Sequence, residues 1–90
     1  MTPLSPINMY LLDAVTGNPD PALVETSADQ METHSIWADG LQAIIKADFK
    51  GKKIVYNFNN GVVLVMKPNL EQGFVECQFD NGEAFIIRNE

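Results

Sequence analysis

Any search for chemistry in this chain starts with two residues that are each alone of their kind, His34 and Cys77. A reactive thiolate needs a base within hydrogen-bond reach and a third group to orient that base. The two stand far apart in sequence, and no third group suggests itself. Cys77 falls in an alternating apolar run, where a thiol usually serves as an inert small hydrophobe. His34 has Asp29 and Glu32 nearby, but on a helix the three positions would not converge on a metal. FDNGE, Phe79 to Glu83, carries oxygen ligands without the spacing of a Ca²⁺ loop. No glycine-rich loop precedes a helix, so phosphate and dinucleotide cradles have no counterpart here. These residues predict no catalytic group, no metal site and no cofactor, hence a non-enzyme.

The basic residues are more concentrated. KADFKGKK, Lys46 to Lys53, holds four of the six bases. Lys50, Lys52 and Lys53 around Gly51 could hold a phosphate or an acidic partner, with Phe49 and Tyr56 available for stacking. Lysines at a helix end would equally complement the dipole and nothing more. The net charge of −6 and a single arginine, Arg88, argue against a nucleic-acid groove, where affinity comes mainly from neutralising phosphates. Residues 1–45 hold six acids and neither Lys nor Arg. Such a half keeps the protein soluble, steers a basic partner, or mimics nucleic acid on a basic groove, for which six acids are sparse.

These side chains need elements to position them. Ser5-Pro6 followed by Ile7, Tyr10, Leu11 and Ala14 predicts a helix over 6–15, stopped at Gly17. Asp20-Pro21 predicts another helical turn through ALVE. Leu41, Ile44, Ile45 and Phe49 match a helix face, although Ala43, Ile45, Ala47 and Phe49 also alternate as in a strand. Helix is the preferred reading, with a break at Asp39-Gly40 and an end at Gly51. From Lys53 the composition turns to β. YNFNNGVVLV and CQFDNGEAFI follow one plan at a spacing of 21 residues, each with the Asn-Gly of a hairpin. The expected fold is α+β: N-terminal helical segments packed on a C-terminal antiparallel sheet of about four strands, two Asn-Gly hairpins in a meander. It is one domain over 1–90, with flexible ends at 1–4 and 89–90.

Two-residue turns would set Phe58 opposite Val63 and Tyr56 opposite Val65. They would also set Phe79 opposite Ala84 and Cys77 opposite Ile86. One face then holds Ile54, Tyr56, Phe58, Val63, Val65, Val75, Cys77, Phe79, Ala84 and Ile86, a core. The other holds Asn57, Phe74, Glu76 and Gln78 with Val55, Leu64, Met66, Phe85 and Ile87, too apolar for a solvated face. Those last five predict a contact surface, for a homodimer or another protein, unless a segment of the chain covers them. The same register opposes Asp80 to Glu83, an unfavourable pair. A longer second loop would relieve it and turn one strand over.

One cysteine excludes an internal disulfide. The N-terminus lacks Lys and Arg, and its apolar stretch is broken by Asn8 and Asp13, unlike a signal peptide or a membrane span. The expectation is a small cytoplasmic interaction module. Its alternatives are anion or nucleic-acid binding through Lys46–Lys53, and an acidic mimic that inhibits a nucleic-acid-binding protein.

Overall fold

The computed structural model describes residues 4–17, 20–29 and 31–88. Ser5 and Pro6 open helix α1, Pro6–Val15, as expected. Proline costs nothing at the first helical position, where its missing N–H would be unpaired anyway. The rest is sheet. Strands β1 (Leu23–Thr26), β2 (Glu32–Ile36), β3 (Gln42–Asp48), β4 (Lys53–Phe58), β5 (Val63–Asn69), β6 (Phe74–Phe79) and β7 (Ala84–Arg88) follow in turn. Each is hydrogen-bonded to its sequence neighbours in the order β1 to β7, and every pairing is antiparallel.

The expected fold class is corrected accordingly: one short helix and a seven-stranded meander replace several helices on a four-stranded sheet. The ALVE segment is an edge strand, and residues 42–48 are a central one. The helical stripe in that region was coincidence, since Ile44 is 40% exposed and Phe49 72%. The alternation of Ala43, Ile45 and Ala47 prevails because β3 finds a full ladder on both edges, Ile45 lying between Thr33 and Tyr56. Tertiary pairing of this kind overrides a weak local preference for helix. Of the ends expected to be flexible, residues 1–3, 89 and 90 lie outside the described residues. Leu4 packs against the core.

The reversals set the register. Phe58 N–H donates to the Val62 carbonyl at 3.0 Å, and Gly61 N–H donates to the Phe58 carbonyl at 3.1 Å. The loop is therefore Asn59-Asn60-Gly61, one residue longer than the Asn-Gly pair alone predicts. Gly61 takes φ +89° with open space where a Cβ would stand. The backbone angle, not crowding, demands glycine there. The Asn60 side chain completes the turn by accepting the Val62 N–H at 3.1 Å.

One extra residue shifts the pairing by one, and that turns over every side chain of the returning strand. Tyr56 now faces Leu64, and Cys77 faces Phe85. Leu64, Met66, Phe85 and Ile87 thus join Tyr56, Phe58, Cys77 and Phe79 on the core face. Val63, Val65, Ala84 and Ile86 pass to the outer face. Asp80 no longer opposes Glu83, whose carbonyl accepts the Phe79 N–H at 2.8 Å.

The plan occurs three times. Trp37-Ala-Asp-Gly-Leu41 closes the same way, Trp37 N–H donating to the Leu41 carbonyl at 2.8 Å. Asp39 accepts the Leu41 N–H as Asn60 and Asn81 accept those of Val62 and Glu83. Trp37, Phe58 and Phe79 recur at a constant spacing of 21 residues. Each later loop is also tied to the repeat before it: Asn59 N–H donates to the Gln42 carbonyl and Asp80 N–H to that of Val63, both at 3.0 Å.

All three aromatics are buried, and α1 lays Leu11, Leu12 and Ala14 into one cluster with them, Leu64 and Cys77. Each leucine or phenylalanine among them removed from water contributes roughly 1.5–3 kcal/mol. Polar contacts fix the helix at two hairpins. Ser5 N–H donates to Glu83 Oε1 at 2.6 Å, and the buried Asn8 amide donates to the same oxygen at 3.1 Å. Tyr10 donates its hydroxyl to Asp39. The Ser5 N–H, and after it the Asn81 and Asn8 amides, hold the Glu83 carboxyl below the usual range. The Tyr10 hydroxyl, then the Leu41 N–H, do the same for Asp39.

Because both carboxyls titrate lower in the folded chain than in the unfolded one, their contribution is complete above roughly pH 4–4.5. It is lost as pH falls through the depressed values. Asp39→Asn combined with Glu83→Gln should flatten the acid limb of a Tm-versus-pH curve. Parallel limbs for parent and variant would show that these two groups do not govern it.

Candidate functional site

The end of the sheet opposite the aromatic hairpins carries the turns Phe49–Lys52 and Leu70–Gly73. Both are closed by the residue before them: Asp48 accepts the Gly51 N–H at 3.0 Å and Asn69 the Gln72 N–H at 3.1 Å. Phe49 and Leu70 occupy equivalent places just after these caps, and they project into solvent. They are 72% and 93% exposed, the two highest values among the large hydrophobic residues described. Between the turns lies an open groove of about 800 Å³, lined by Phe49, Leu70 and Phe74 with Lys52, Lys53 and Lys67. Glu71 and Glu76 also border it. Among the described residues none of the three ammonium groups is held in an ion pair.

Lys52 has an unusual backbone. Its φ is +52°, in the place where Gly73 stands at φ +71° in the next repeat. A left-handed L-residue costs about 1–2 kcal/mol, so this turn carries strain that a glycine would relieve. Lys52→Gly should raise stability by about 1 kcal/mol, or roughly 4–8 °C in Tm for a domain of this size. An unchanged or lowered melting temperature would place the strain elsewhere.

Of the lysines predicted to bind anions, Lys52 and Lys53 line the groove; Lys50 is exposed and does not line it. Sequence reasoning missed Lys67, Leu70 and Phe74, which strand pairing brings alongside. The 21-residue spacing was the available signal, since it aligns Leu70 with Phe49 and Lys67 with Lys46.

The predicted contact surface does not form one patch. Val55 lies half-buried on the outer face, but Leu64 is wholly buried and Met66 and Ile87 pack against the core. Phe85, on the core face, is 37% exposed. The outer face instead intersperses Ile44, Val55, Val63, Val65 and Ile86 with Lys46, Asn57, Glu76 and Gln78.

His34 and Cys77 stand on opposite faces of the sheet. The ring Nε2 of His34 lies 3.1 Å from Gln42 Oε1. No group of three or more His, Cys, Asp or Glu suited to a metal is present among the described residues. No helix among them is long and apolar enough to cross a membrane. Comparison with known proteins gives no match to a family model, a curated protein or a solved structure.

Cys77 is fully buried, and burial first, then the neighbouring Glu76 charge, push its thiol up to about 11. Alkylation by iodoacetamide near neutral pH should therefore proceed only after denaturant unfolds the chain. Rapid modification of the folded protein would mean that this part of the core opens.

Proposed function

We propose that the chain is a non-enzymatic interaction module whose groove, between the turns at Phe49 and Leu70, receives an apolar, acidic segment of a partner protein. The observation that carries this reading is that, among the described residues, the two most exposed large hydrophobic side chains and three ammonium groups outside any ion pair border one groove. Solvent-exposed leucine and phenylalanine bordering one groove mark an association surface. Lysines beside them select carboxylates and discourage basic sequences. The left-handed Lys52 supports the reading, because strain retained at a surface turn is common where a side chain serves binding. Glu71, Glu76 and the overall charge of −6 count against a polyphosphate partner. The groove therefore favours a segment that brings apolar side chains as well as acids.

Fluorescence anisotropy with a labelled peptide of alternating Glu and Leu/Phe residues provides the test, with heparin as an anion that lacks apolar groups. The peptide should bind saturably. Lys52→Glu with Lys53→Glu, and separately Phe49→Ser with Leu70→Ser, should each weaken it about tenfold, the equivalent of roughly 1.4 kcal/mol. Absence of peptide binding, or double variants that both bind as tightly as the parent, would refute the proposal. Tight heparin binding without peptide binding would favour simple anion capture by the lysines.

A further inference from the structure

Among the described residues, β7 has a strand partner on one side only, β6. In a stacked repeat, the terminal unit normally carries a polar face or another device that stops further stacking. β1, at one edge, has such devices: four residues, LVET, with Glu25 among them. β7, at the other, reads AFIIR, with no proline and no charge before Arg88. Edges of that kind invite pairing.

The repeat shows which groups of β7 are unused. Gln42 and Val63 offer their carbonyls to the next hairpin, accepting from Asn59 and Asp80 at 3.0 Å. Ala84 is the equivalent residue one repeat later, and its carbonyl faces the open edge. Because Glu83 turns its carbonyl toward Phe79 and bonding direction alternates along a strand, Ala84, Ile86 and Arg88 all present N–H and C=O outward. Ile44 and Val65, the counterparts of Ile86, pair with Asn57 and Gln78 across this same edge.

We infer that β7 pairs with β7 of a second copy, antiparallel about a two-fold axis through Ile86. An isologous contact requires a self-complementary surface, and this strand is one. In that register Ile86 meets its own counterpart, and Ala84 meets the second copy's Arg88. About six main-chain hydrogen bonds form by ordinary ladder geometry. Phe85 packs against the other copy's Ile87 on the core face, so the two core faces run on as one. Phe85 and Ile86, now 37% and 45% exposed, are covered. No like charges oppose each other in this arrangement, since Arg88 is the only charge on the strand. The contact is independent of the groove at Phe49 and Leu70, so the failure of either proposal leaves the other standing.

Sedimentation equilibrium on the full chain across the micromolar range tests the inference, with circular dichroism to follow folding. The parent should approach twice the 10.0 kDa chain mass with rising concentration. Ile86→Lys, which would set two like charges together at the axis, should stay monomeric and folded. So should Ile86→Pro, which deletes an outward N–H and spares the ladder to β6. Ile44→Lys, at the equivalent interior position, should dimerise as the parent does. A monomeric parent, a dimer indifferent to Ile86→Lys, or open-ended growth of the assembly would each overturn the inference. If Ile86→Pro unfolds, Ile86→Lys alone decides.

Discussion

The left-handed backbone angle at the glycine of each aromatic–x–Asx–Gly reversal is the constraint on which this molecule rests. Gly40, Gly61 and Gly82 all adopt it, at φ +96°, +89° and +92°. It closes a three-residue loop and sets the pairing of the strands on either side. Through that pairing it selects which residues enter the core. Leu64 reaches the core, and Val63 and Val65 do not, because of one loop residue and not because of any difference in hydrophobicity. Space around the glycines is open, so the chirality of the other residues makes them obligatory.

The two ends of the sheet have different chemistry as a result. At the hairpin end the aromatic of each repeat points into the core, the Asx side chain satisfies the backbone, and α1 covers the row. Asp39 and Glu83 spend their charge there on hydrogen bonds to the helix. At the far end the turns are capped just as carefully, by Asp48 and Asn69, yet the residues after the caps are Phe49 and Leu70. A capped turn needs nothing apolar at that position, and neither side chain has a partner in the core. The same repeat thus builds a sealed end and an open one.

Much of this was legible in the sequence, though unevenly. The helix at Pro6–Val15 and the two later hairpins followed from local signals, a proline at the first helical position and Asn-Gly between apolar runs. WADGL is a less legible third copy, because Trp-Ala-Asp-Gly lacks the Asn-Gly dipeptide and Leu41 to Phe49 fit a helical stripe. Counting 21 residues back from Phe58 would have found Trp37. Register was harder, since Asn-Gly serves two-residue and three-residue loops alike, and that single ambiguity reversed Leu64, Met66, Phe85 and Ile87. The like-charge opposition of Asp80 and Glu83 was the clue, and a longer loop resolves it. In the candidate site, the lysine cluster was visible as a run. Lys67 and Phe74 belong to other strands, and only pairing brings them in.

A meander whose strands each join their sequence neighbours closes short loops almost everywhere, and such topologies assemble quickly because little chain entropy is lost per step. The ties between α1 and the third hairpin are the exception: Ser5 and Glu83 meet across 78 residues of sequence. Hairpins can zip up one after another, but the helix has no complete seat until the last of them has formed. Glu83 therefore joins helix α1 to the last hairpin, turning a row of semi-independent units into one cooperative body.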